Sequence, residues 1–206
     1  MAFTTSKSLL AKVKSCDEIS WAEFYRTYKP LVILIGGDWG LNCDEKEELL
    51  QKVMSEIFNK KTLNSYDINQ VPDDVVFKYD PTKGRFRHYF RGIVRNHAMK
   101  ILKARAKVIL ESIDKEDSPV KSLPSDDEME AAWNKEWNRH VLHMAMIELK
   151  ERVQPETYVA FEMYALHERS VDEVSKFLNI SVSSVYTSKS RCISTLREII
   201  KDLEEK

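Results

Sequence analysis

Apolar residues in the first third of the chain fall at helical intervals. Ile19, Trp21, Phe24, Tyr25, Tyr28, Leu31 and Val32 recur at three- and four-residue steps, with Pro30 expected to bend or interrupt the segment. Gly36, Gly37 and Gly40 are then expected to break the chain before a helix from about Asp44 to Phe58, on which Leu49 or Leu50, Val53 and Ile57 share a face. Residues 60–80 look irregular, and Asp80-Pro81-Thr82-Lys83-Gly84 reads as a turn. Beyond it, Phe86, Phe90, Ile93, His97 and Ile101 gather on one side of a helix at about 100° per residue.

The pattern resumes after a break. Ser125 followed by Glu128 forms a capping box, and Met129, Trp133, Trp137, Val141, Met144 and Ile147 continue at helical spacing. The two tryptophans suit either core packing or an external docking stripe. Val159, Phe161, Met163 and Leu166 close a further apolar helix. Ser170, with Glu173 in the reciprocal position, caps the next, whose buried side is expected to hold Val174, Phe177 and Leu178. Asn179-Ile180-Ser181 makes a tight turn into a helix that starts near Val182 and carries Val185 inward.

Only 5 glycines and 6 prolines among 206 residues agree with a mostly helical chain. The predicted architecture is all-α: two small helical domains, 1–111 and 126–206, joined by an acidic linker over 112–125, with a helix-turn-helix in the second. Pro119 and Pro124 punctuate that linker. It reads either as a solvated hinge or as an acidic segment that shields a basic surface.

Charge changes the picture more than composition does. The formal net charge is −1, yet Lys78 to Lys107 holds Lys78, Lys83, Arg85, Arg87, Arg91, Arg95, Lys100, Lys103, Arg105 and Lys107 against the single acid Asp80. On the helix, Arg87, Arg91 and Arg95 line one flank of the apolar side, and Lys100, Lys103 and Lys107 line the other. So concentrated a field calls for a polyanion, an acidic partner face or extensive hydration. From Glu111 to Glu136 the sign reverses, with nine acids against three lysines.

Three segments in order resemble the bacterial RNA polymerase sigma factors, in particular the compact two-domain extracytoplasmic-function class. Glu47-Glu48-Leu49-Leu50-Gln51-Lys52-Val53-Met54 resembles the family signature that packs on core polymerase, which implies Glu47, Glu48, Leu49, Gln51 and Lys52 as polymerase contacts. The run Tyr79 to Asn96 is similar to the segment that melts and reads the minus-ten promoter element. By that resemblance Arg85, Arg87, Tyr89, Arg91, Arg95, Asn96, Lys100 and Lys103 face DNA. Ser170 to Val185 resembles the minus-thirty-five helix-turn-helix, which implies Ser181, Ser183, Ser184, Tyr186, Thr187, Lys189 and Arg191 as contacts. The implied partners are core RNA polymerase and promoter DNA, with an inhibitory anti-sigma protein as a candidate regulator.

The physical reading of the basic segment agrees with that task. Arginines and lysines hold phosphates, and an exposed aromatic such as Tyr89 stacks on an unpaired base. Phe86, Phe90 and Tyr89 could equally be core aromatics. Other chemistry finds no footing. The five histidines make no zinc pattern, no phosphate-cradling glycine loop precedes a Lys-Ser or Lys-Thr pair, and nothing specifies a nucleophile with its base. No enzyme, cofactor or metal is therefore expected. Leu31 to Ile35 is too short to cross a bilayer, and no secretory segment opens the chain, so no membrane insertion and a cytoplasmic location are expected. The alternative reading is a two-domain helix-turn-helix regulator that is not a polymerase subunit. A third is a helical interaction protein without a nucleic-acid role.

Overall fold

The computed structural model describes residues 18–57, 84–112 and 123–204. Every regular element among them is a helix. They fall into two compact units, the first reaching Asn138 and the second starting at Arg139. The expected linker lies mostly outside the described residues. The 126–138 stretch, expected to open the second domain, belongs to the first unit.

In the first unit, α1 (Glu18–Asp38) runs unbroken through Pro30, Gly36 and Gly37. The expected interruption at Pro30 does not occur. Both Pro30 and Arg26, the residue whose carbonyl loses its helical donor, are exposed, so the loss falls on the solvent side of α1 and not in the core. Gly36 is buried against α2 (Cys43–Ile57): a Cβ there would stand 3.1 Å from the Lys46 side chain and 3.4 Å from that of Leu49. Its place inside α1 therefore lets the two helices approach. The chain turns only at Trp39-Gly40, where Gly40 takes φ +80°. Asn42 caps α2 reciprocally, its side chain accepting from the Glu45 amide at 2.9 Å while the Glu45 carboxylate accepts from the Asn42 amide at 2.8 Å.

α2 packs on both α1 and α3 (Phe86–Ser112). Phe24, Tyr28, Phe86 and Phe90 form an aromatic knot, with centroids 4.5 to 6.4 Å apart in mostly tilted or edge-on pairs. Phe86 and Phe90 are thus core residues. Ile93, Val94, Ala98, Ile101 and Leu102 extend the buried side of α3. The first half of α4 (Asp126–Arg152) joins this unit: Met129 and Trp133 are buried, and Trp133 meets Phe90 at 6.1 Å. The two tryptophans stack at 5.6 Å and are both buried, which assigns them to packing.

The second unit is built from the rest of α4, α5 (Pro155–Phe161), a π-helical turn (Glu162–Leu166), α6 (Val171–Leu178) and α7 (Val182–Glu204). Ala145, Leu149, Tyr158, Phe161, Cys192 and Ile199 form its main core. A smaller cluster of Ala160, Val174 and Val185 fixes α6 against α5 and α7. The expected capping box is present: Ser170 Oγ accepts from the Glu173 amide at 3.2 Å, and the Glu173 carboxylate accepts from the Ser170 amide at 3.1 Å. Asn179 ends α6 in the left-handed conformation. Phe177, expected on the buried side, is 74% exposed. The inward side of α6 is set by Val171, Val174 and Leu178, and Phe177, next to Leu178 in sequence, lies about 100° around the helix from it.

Candidate nucleic-acid interface

The basic helix α3 has three distinct faces. Its apolar face is spent on the core, as expected. His97 lies at the edge of that face, where its Nε2 sits 2.5 Å from a Glu56 carboxylate oxygen of α2. Tyr89 is half-buried with its ring 6.3 Å from Phe86, and its phenol is pushed above the usual range by burial and then by the Glu56 charge. It is only in part the open stacking platform that its sequence position suggested.

The arginine flank is occupied. Arg87 donates to the Asn134 side chain at 2.5 Å and lies over the Trp137 ring at 5.6 Å. Arg91 pairs with both carboxylate oxygens of Glu130, and Arg95 pairs with Asp126. The partners descend as the arginines ascend, in steps of four residues on both helices. α3 and the first half of α4 are therefore antiparallel and matched turn for turn. Two further contacts tie α4 to the end of α1: Trp39 Nε1 donates to the Met129 carbonyl at 3.2 Å, and Lys135 Nζ donates to Asp38 at 3.0 Å. Beside the Arg91 and Arg95 pairs lies a cleft of about 390 Å³ lined by Trp39, His88, Arg91, Gly92, Arg95, Asn96, Asp126, Met129 and Glu130.

Arg85, Asn96, Lys100 and Lys103 are exposed. Arg105 instead clamps the turn before α2, donating to the Gly40 carbonyl at 3.0 Å and to Glu45 at 2.9 Å. On α2, Glu47, Glu48, Gln51 and Lys52 are exposed along one surface, with Lys52 3.4 Å from Glu48. Leu49 is fully buried, because its position faces α1 and α3; it supports that surface from within and cannot itself contact a partner.

In the second unit, Ser183, Ser184, Tyr186, Thr187 and Arg191 are exposed on α7. Ser181 acts as its cap, accepting from the Ser184 amide at 3.1 Å and sharing hydrogen bonds with the Ser183 and Ser184 hydroxyls at 2.8 Å. Thr187 donates to the Ser183 carbonyl at 2.9 Å. Lys189 is half-buried over the Tyr164 ring at 5.0 Å, and Tyr186 packs edge-on against that ring at 5.6 Å. The face of α7 is thus mostly polar and is braced by the π-helical turn.

Sequence reasoning missed the partners of the arginines: Asp126, Glu130 and Asn134. Their signal was present as a four-residue repeat equal to that of Arg87, Arg91 and Arg95, but it lay across the apparent domain boundary. Among the described residues no cluster of three metal-ligating side chains occurs, and no helix is long and apolar enough to cross a membrane. Comparison with protein-family models, curated proteins and solved structures finds no match for this chain.

Proposed function

We propose that this chain is a sigma-type initiation subunit, which binds core RNA polymerase, directs it to promoters and assists their melting. The observation that carries the reading is the basic helix α3: its apolar side is held in a core while Asn96, Lys100 and Lys103 on it, and Arg85 just before it, stay in solvent. Cations fixed in this way engage phosphates without losing the helix that carries them. A capped α6, a left-handed Asn179 and the exposed polar face of α7 support a helix-turn-helix for duplex DNA. Exposed Glu47, Glu48, Gln51 and Lys52 supply a charged surface suited to polymerase.

In this mechanism the protein performs no bond chemistry. Helix α7 holds the duplex, cations of α3 grip phosphates of the opening strands, and stabilising an unstacked base offsets about a few kcal/mol per step. The test is transcription by purified bacterial core polymerase, with this chain, from a randomised promoter pool. Chain-dependent transcripts that share two upstream elements are expected. Duplex binding without polymerase association or initiation would instead identify a free-standing regulator.

A further inference from the structure

We infer that the first half of α4 is an intramolecular mask over the nucleic-acid surface of α3, occupying the arginine flank as a phosphate backbone would. The inference rests on the proposed nucleic-acid role of α3. Four residues of helix advance about 6 Å, so Arg87, Arg91 and Arg95 present one cation per turn at that interval. Asp126, Glu130 and Asn134 return acceptors at the same interval on an antiparallel helix. Two of the three carry full negative charge, and one meets its arginine with both oxygens.

The composition of the contact suits release. The Glu130 side chain is 49% exposed and that of Asp126 76% exposed. Exposed ion pairs each contribute about 0–1 kcal/mol, so a polyanion can replace them one rung at a time. The side facing the core is different: buried Met129 and Trp133 hold the helix beside α3 in the absence of ligand. Weak charged rungs above an apolar seam make a cover that competes without locking. Apparent affinity for a polyanion then falls by the fraction of molecules that are uncovered.

The test uses the full chain and a fluorescent 20-nucleotide single-stranded DNA of mixed sequence. The Asp126→Asn, Glu130→Gln double variant keeps shape and removes both charges; it is expected to bind about tenfold more tightly than the wild type. Adding Arg91→Gln and Arg95→Gln to that variant is expected to abolish the gain and flatten the salt dependence. Unchanged affinity in the double variant, combined with a loss when the arginines are neutralised, would overturn the mask while leaving the nucleic-acid role intact. No effect of either pair of changes would overturn the role of this flank itself. Should a variant fail to fold, amide exchange on the wild type decides. Saturating DNA is expected to speed exchange over 126–138, and unchanged or slower exchange there would refute release.

Discussion

Phe90 shows how one residue serves both stability and function. It is fully buried and touches Phe24, Tyr28, Phe86 and Trp133, so it fixes the rotational setting of α3 and hence the direction of the arginine flank. Phe90→Ala is expected to cost about 3–5 kcal/mol in denaturant unfolding. Phe177→Ser, at an exposed position on α6, should stay within about 0.5 kcal/mol of the wild type by the same measurement. His140 predicts a pH effect. Burial, and then the charge of nearby His143, lowers its imidazole to about 4 from an ordinary value near 6.5. The folded protein therefore binds fewer protons than the unfolded chain between those values. Stability from this group is complete above about pH 6.5 and falls as the medium is acidified toward pH 4, by about 3 kcal/mol. Urea unfolding across that range should show a shallower decline for His140→Leu.

At the scale of helices, local patterns were legible where propensity and packing agree. The apolar side of α3, the capping boxes at Ser125 and Ser170 and the turn at Asn179 were all readable, because each is fixed by residues within a few positions of one another. Pro30 and the Gly36-Gly37 pair misled for a common reason. Their intrinsic cost to a helix is local, whereas burial of Leu31, Val32 and Ile35 on the same helix repays it at a distance. Leu49 misled differently: a motif gives residue identity but not which side of the helix faces a partner. The Ser170 cap offers a direct check. Ser170→Ala should destabilise the second unit by about 1 kcal/mol in thermal unfolding, and Ser170→Asp should recover most of it.

At the scale of the molecule, the net charge of −1 conceals two opposed fields, one on α3 and one on the start of α4. Their pairing explains why the domain boundary was not legible. Prolines and acids after residue 111 read as separation, but Asp126 and Glu130 are bound to arginines more than thirty residues earlier. Nothing within a window of ordinary length records such a contact. The candidate site was therefore legible as a set of cations, and its cover only as one of two readings of the acidic stretch, without the residues that pair or their register.

The equal four-residue steps of the two helices have a further consequence. A slip of α4 by one turn would still oppose Arg91 to Asn134 and Arg95 to Glu130, so charge alone tolerates several alignments. Trp39, bonded to the Met129 carbonyl, and Trp133, set against Phe90, admit one. The ionic rungs act as a rack and the aromatics as its pawl: removing Trp39 and Trp133 together would leave the helices attracted to each other but free to settle a tooth out of place.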